Sequence, residues 1–252
     1  MKNLQAIENM KRNEFQDTQL AKRYDRYRTE YPEKLVQYFY KEREEAIVAD
    51  IGCGTGKLTK ILAKYFLEVY AIDYSESMLD ICRKNCNEYA NVTFIKEKAE
   101  SFYFSHNHFD YIFVAQAFHY FDKSVLLIFK NILKKNGKLI LIWNSKNFED
   151  INLYNEHEII FNRYCGEHTK SYNNIDIKSI YPYEYECMEI RNDRFLSLNE
   201  YLGFCSTASY SLKYNNDNYN LFIRDLIDLF YKYEVNGIIK MPYIIKCYYG
   251  KI

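Results

Sequence analysis

The chain has 252 residues, 48% hydrophobic and 27% charged, which excludes a disordered or fibrous chain and suffices for one α/β domain with additions and a self-supporting core. Lys plus Arg and Asp plus Glu number 34 each, so the net charge is zero and the basic excess usual for gripping a nucleic acid backbone is absent. The seven cysteines form no CxxC pair, the N-terminus lacks an apolar signal core and no run is long and apolar enough to span a bilayer; free thiols in a reducing, cytoplasmic setting are expected, with no membrane partner.

Residues 1–42 are expected to be helical. EKLVQYFYKER carries apolar and charged residues at helical spacing, and Pro32 suits the first turn of that helix. AIVADIG then reads as a strand, GTGKLTKILAKYF as a helix and LEVYAIDY as a second strand. SESMLDICRKNCNEY reads as the crossover helix, with Ser75 its cap. NVTFIKEKA and FDYIFVAQAF supply the third and fourth strands. KSVLLIFKNILKK reads as a helix stopped by Gly137, and KLILIWN as the fifth strand. Further on, INLYNEHEIIFNRYC and NLFIRDLIDLFYKY read as helices, and YECMEIRNDRF and PYIIKCYYG as strands. Nearly continuous apolar strands alternating with helices predict an α/β fold, with a parallel sheet covered on both faces. Three regions follow: an N-terminal helical lid segment (1–42), a cofactor-binding core (43–150), and a helical insertion with final strands that complete the sheet (151–252).

The central signal is VADIGCGTGKL between the first strand and first helix. Gly52, Gly54 and Gly56 permit a tight turn and a ligand approaching the backbone. Lys57 is followed by Leu58, not by the Ser or Thr of a phosphate-binding loop, and the spacing is not the GxGxxG of a dinucleotide site. Asp50 suits a ligand carrying an amino group or a sulfonium and would repel a pyrophosphate. Asp73, about 20 residues after Gly52, falls at the tip of the next strand, where a carboxylate can accept from both ribose hydroxyls of an adenosine; helix capping is its simpler role. Tyr74 is placed to pack on the adenine or simply in the core.

These residues resemble the class I S-adenosylmethionine-dependent methyltransferases. VADIGCGTG and AIDYSESML are similar to the family's first two motifs. KEKAE followed by FDYIFVAQAFHYFD resembles its type 11 small-molecule subgroup. YDRYRTEYP, ILIWNS, SLNEYLGFCSTASY and PYIIKCYYG resemble a subset that includes enzymes similar to trans-aconitate methyltransferase. The resemblance implies a Rossmann-like, doubly wound, mostly parallel seven-stranded sheet with an added helical lid, and S-adenosylmethionine as cofactor. It places Asp50, Gly52, Gly54 and Gln116 at the methionine part, with Gly56 shaping the turn. It places Asp73 at the ribose, Tyr74 and Met78 about the adenine, and Ala99 and Glu100 at the base edge. Lys98 departs from the family's Asp and cannot accept from the adenine amino group; Thr29 replaces a proline.

Methyl transfer from an activated sulfonium needs alignment and water exclusion, and a base only where the acceptor is protonated. His119, after the fourth strand, is a base, a pocket contact or a structural residue. Tyr27, Arg28 and Tyr31 are either a lid, with Arg28 free to pair a carboxylate, or interhelix packing. His106 and His108 lack further metal ligands, and His157 and His168 are too far apart for an HExxH site, so no metal is expected. The expected function is transfer of the sulfonium methyl by in-line attack of a small-molecule acceptor, with a carboxylate as the leading guess. The alternatives are an RNA or protein acceptor, disfavoured by the neutral charge, and a non-catalytic cofactor-binding protein. The oligomeric state is not readable.

Overall fold

The computed structural model describes residues 17–43, 45–147, 151–166, 175–208 and 210–252. His168 and the first 16 residues of the expected lid segment therefore lie outside the described residues.

Two helices open the described chain, α1 (Thr18–Tyr27) and α2 (Glu33–Glu42). Asp17 caps α1 by accepting from Gln19 N, and Pro32 stands just before α2. There follow β1 (Ile47–Ile51), α3 (Thr59–Tyr65), β2 (Glu68–Asp73), α4 (Glu76–Asn85), β3 (Val92–Lys96) and β4 (Phe109–Ala115). Ser75 caps α4 as expected, its hydroxyl accepting from Met78 N at 3.2 Å. After a 3-10 turn at Phe118–Tyr120 come α5 (Val125–Ile132) and β5 (Leu133–Lys146).

Gly137 is not a helix stop. The chain is already extended at Leu133, which pairs with Phe109, and the register shifts between Phe109 and Tyr111. A Cβ at Gly137 would lie 3.0 Å from the Phe109 carbonyl and 2.9 Å from a Leu133 methyl, so the glycine serves the close approach at this irregularity.

The remaining elements are α6 (Ile151–Cys165), α7 (Ile177–Ile180), β6 (Tyr185–Arg191), β7 (Arg194–Leu196), α8 (Leu198–Ser206), α9 (Tyr219–Tyr233), β8 (Ile239–Met241) and β9 (Tyr243–Gly250). The main sheet has seven strands in the order β3-β2-β1-β4-β5-β9-β6. β1 to β5 pair in parallel, and β9 runs antiparallel to both β5 and β6. This is the Rossmann-like, mostly parallel sheet expected. β7 and β8 form a separate two-stranded ribbon.

Alternation along the strands sends side chains to opposite faces. Val48, Tyr111, Phe113, Ile140 and Ile142 pack with α2 and α3, whereas Ala49, Ile51, Ile112, Val114 and Leu141 pack with α5. Leu35, Val36 and Phe39 are fully buried, each contributing about 1.5–3 kcal/mol of burial. Thus α2, inside the expected lid segment, covers the sheet face, and α1 with the turn after it reaches the ligand edge. α6, α8, α9 and β8 build a second core around Tyr154, Phe161, Tyr201, Phe222 and Phe230.

Candidate active site

Strand order reverses beside β1, with β2 on one side and β4 on the other. A crevice opens at the carboxyl ends of strands at such a point. The glycine loop fills the bend: Gly52 N and Cys53 N both donate to Ile72 O, at 2.8 and 3.0 Å. Gly52, Gly54 and Gly56 all have positive φ. A Cβ at Gly52 would fall 2.5 Å from Ala117 Cβ, whereas one at Gly54 would point into open space. The first glycine is required by packing and the second leaves room. Helix α3 starts only at Thr59, later than the motif suggests, because the turn runs on through Gly56.

Asp73 ends β2 and is buried. Its carboxylate accepts from Gly54 N at 2.8 Å and Ser75 N at 2.9 Å, joining the glycine loop to the cap of α4. Burial pushes its pKa up to about 6, against these backbone donors. Asp50, in β1, accepts from Thr59 Oγ1 at 2.6 Å through Oδ2. Its Oδ1 is buried without a partner. Burial pushes the carboxyl up to about 7; Thr59 opposes the rise and the charge of Asp73 adds to it.

Gln116 follows β4 with a φ of 59°, a left-handed conformation uncommon for a residue with a Cβ. Its N donates to Ile142 O at 2.9 Å, and its Nε2 is buried without a partner. Two buried orphan atoms, together with the open space at Gly54, fit a ligand that brings its own polar groups and approaches the loop backbone.

Two cavities share Tyr24, Gly52, Gly54, Ala115, Gln116 and Tyr120 as walls. The first lies over Asp73, Tyr74, Met78, Glu97, Lys98, Ala99, Glu100 and Phe121. Glu100 also accepts from Asp122 N at 3.1 Å, so part of its carboxylate is already engaged. The second cavity holds Asp50, Arg28, Tyr31 and His119, with Asn144, Lys146, His157, Phe204 and Cys205 on its far side. Of the residues singled out from sequence, Gly56 and Tyr27 line neither cavity. A Cβ at Gly56 would fall 2.6 Å from Cys82 Sγ, so that residue packs the turn onto α4. Tyr27, the last residue of α1, packs on α8, where a Cβ at Gly203 would fall 2.4 Å from its ring.

Arg28 Nη2 donates to Thr207 O at 2.6 Å, and its guanidinium lies 5.2 Å from the Tyr24 ring centroid. It makes no ion pair among the described residues. The turn carrying it is tied down by Glu30, which pairs with Lys57 at 2.5 Å and Lys60 at 3.0 Å. Burial, with the charges of Tyr24 and Asp50, raises the Tyr31 hydroxyl and keeps it protonated. His119 sits in the 3-10 turn with its ring 4.1 Å from that of Tyr120.

Sequence reasoning missed Tyr24, though its i,i+4 spacing to Arg28 signals a shared face. It also gave no site role to Asn144, Lys146, Phe204, Cys205 and Thr207, which reach the cavity from separate elements. His108 lies away from the crevice among Tyr70, Phe104 and Phe109, and burial lowers its pKa. Among the described residues no group of three or more His, Cys, Asp or Glu is placed to hold a metal ion. No helix among them is long and apolar enough to cross a membrane.

Residues 48–137 match a family model described as a methyltransferase domain. An uncharacterized methyltransferase-like protein of Schizosaccharomyces pombe is 33% identical over 129 residues, 49% of each chain. A malonyl-[acyl-carrier protein] O-methyltransferase of Halalkalibacterium halodurans is 33% identical over 119 residues, 42% of this chain and 44% of that one. The chain spans about half the length of the first of these curated relatives and less of the second. A structure from Anaeromyxobacter dehalogenans, provisionally designated a type II methyltransferase, superposes with a TM-score of 0.67 at 16% identity, covering 89% of this chain and 98% of that one. At that identity the likeness concerns the fold. Residues 48–137 therefore match a methyltransferase domain, set here in a Rossmann-like sheet.

Proposed function

We propose that the chain transfers the methyl group of S-adenosylmethionine to a small molecule, with a carboxylate as the acceptor group. The observation that carries this is the second cavity. It adjoins the cofactor crevice under a cover drawn from both ends of the chain, and Arg28 stands in it with no ion-pair partner among the described residues. A malonyl group ends in a carboxylate, so the activity named for one relative shares the acceptor group, there carried on a protein.

When bound, the cofactor supplies a methyl group activated by its sulfonium. Asp73 would hold the ribose hydroxyls, Tyr74 and Met78 would flank the adenine, and Ala99 and Glu100 would edge the base. Asp50, Gly52, Gly54 and Gln116 would take the methionine part, where the orphan Asp50 Oδ1 can accept from an amino group. Tyr24, Tyr31 and the loop around His119 exclude water. Arg28 orients the acceptor carboxylate, which is already a nucleophile at neutral pH and needs no base, so His119 positions rather than deprotonates. Zero net charge speaks against a nucleic acid acceptor, and seven unpaired thiols suit a reducing, cytoplasmic setting.

The test is a methyl-transfer screen with small acids, phenols, amines, bulk RNA and a protein extract. Methylation of a small acid that falls about 10-fold or more in Arg28→Ala is expected, from the loss of a charged hydrogen bond. Methylation of RNA or protein alone would overturn the acceptor class. Binding of S-adenosylmethionine without turnover on any acceptor would favour a non-catalytic role.

A further inference from the structure

Three cations from separate parts of the chain converge on one wall of the second cavity. Arg28 comes from the turn after α1, Lys146 from the end of β5, and Arg194 from the start of β7. Arg194 donates from Nη2 to Tyr27 O at 2.9 Å and sits 4.4 Å from the Phe204 ring centroid. Arg28 lies 5.6 Å from the same ring. Phe204 and Cys205, adjacent on α8, line the cavity, and Cys205 Sγ stands 3.6 Å from His157 Nε2.

The charges on this wall do not balance. Lys146 pairs with Glu158. Arg28 and Arg194 make no ion pair among the described residues, and each has a buried nitrogen, Nε of Arg28 and Nη1 of Arg194, without a partner. Glu200, whose charge reaches Arg194, is engaged in capping α8 through Ser197. Holding two guanidinium groups partly out of water without a counter-charge is unfavourable, and an anion arriving in the cavity offsets it. Cys205 reports the same field. Burial pushes its thiol up to about 12, against the pull of Tyr201 and the positive charges of Lys146, Arg194 and Arg28.

We propose that the wall around Cys205 is an anion subsite, in which Arg28 and Lys146 meet the ligand directly and Arg194, behind Phe204, supplies charge without touching it. The subsite takes an anionic group of the methyl acceptor, so this inference rests on the proposed methyltransferase reading and adds to it. Arg194 thereby becomes a specificity-determining residue contributed by the two-stranded ribbon rather than by the cofactor domain.

Selenate is a suitable probe, since any anion subsite accepts it whatever the shape of the true acceptor. Protein saturated with S-adenosylhomocysteine is titrated with selenate by calorimetry, and selenium is located by anomalous scattering in crystals of the same complex. One selenate beside Cys205, within reach of Arg28 or Lys146, is expected. Arg28→Met should weaken selenate binding about 10-fold, on the scale of a charged hydrogen bond, and Arg194→Met about 3-fold, from the loss of a charge that makes no contact, while leaving S-adenosylhomocysteine affinity unchanged. Arg194→Lys, which keeps the charge, should restore most of the loss, whereas a purely structural role would not return with charge alone. Selenate bound only outside this cavity, or undiminished binding in Arg194→Met, would overturn the subsite. Failure of the wild type to bind S-adenosylhomocysteine would instead sink the cofactor reading beneath it.

Discussion

The two ends of the parallel sheet treat buried carboxylates in opposite ways. At the amino end of β4, Asp110 is 2% exposed and fully satisfied. It accepts from Ile47 N at 2.9 Å and Lys134 Nζ at 2.7 Å, and pairs with Arg43. Burial raises its pKa, but Lys134, the Ile47 N–H and Arg43 together outweigh burial and hold it below the usual value. At the carboxyl ends of β1 and β2, Asp50 and Asp73 are also buried but form no ion pair among the described residues. Burial wins, and their pKa values rise to about 7 and about 6. A satisfied carboxylate contributes stability at its own site. A buried carboxylate without a cationic partner stores an unfavourable energy that a ligand can release, which is why perturbed groups cluster where ligands bind.

The largest effect should follow Asp73→Ala. S-adenosylmethionine affinity should fall by about 1.5–3 kcal/mol for each charged hydrogen bond lost, roughly 10- to 150-fold. Stability should fall less, by about 1 kcal/mol, because the Gly54 and Ser75 N–H groups lose an acceptor at an edge that water can reach. Calorimetric titration beside thermal unfolding separates the two, and unchanged affinity would remove Asp73 from the site.

Asp110→Ala should do the reverse. Its cationic partners are about 40% exposed and regain water, so the loss should be about 1–3 kcal/mol rather than that of a fully buried pair. Cofactor affinity of the folded protein should be unchanged. A variant that unfolds at the wild-type temperature, or binds cofactor more weakly, would erase the distinction between the two ends.

The pH dependence sharpens it further. Asp50 and Asp73 titrate above the ordinary 3.8 in the folded chain. Between about pH 4 and 7 the folded state holds protons that the unfolded state releases, so their contribution is full below pH 4 and is lost as pH rises through 6 and 7. The slope is at most about 1.4 kcal/mol per pH unit per group. Asp110 contributes above pH 3.8 and loses that contribution as pH falls. Binding of a cationic cofactor favours the ionised forms, so affinity should rise with pH to about 7. Thermal melts of ligand-free protein across this range should show a decline that Asp50→Asn reduces; a profile identical in that variant would refute the assignment to Asp50.

The smallest effect concerns Gly54. Its φ of 55° makes alanine cost about 1 kcal/mol in the free protein, while the added methyl would point into the open crevice and weaken cofactor binding further. Loss of stability with full affinity would mean the ligand does not approach this backbone.

Much of the fold was legible because its signals are local. Continuous apolar strands, helical spacing and the Ser75 cap each act within one or two turns of chain. The GxGxG loop with Asp50 and Asp73 was legible because a strand–loop–helix unit brings residues about 20 apart to one edge. Gly137 was misread because a glycine after a helical pattern and a glycine in an irregular strand look alike in one dimension; the backbone approach of Phe109 decides between them. Tyr27 looked equivalent to Arg28 in a short motif until the missing side chain of Gly203 let its ring pack onto α8. Lys146 and Arg194 had no signal, and Phe204, Cys205 and Thr207 fell in a segment whose resemblance assigned them no place at the site. They meet Arg28 across more than a hundred residues of chain, and only side-chain packing between the second core and the sheet edge brings them together. The crevice proposed for the cofactor was thus written in neighbouring residues, and the cavity proposed for the acceptor exists only once the chain has closed over it.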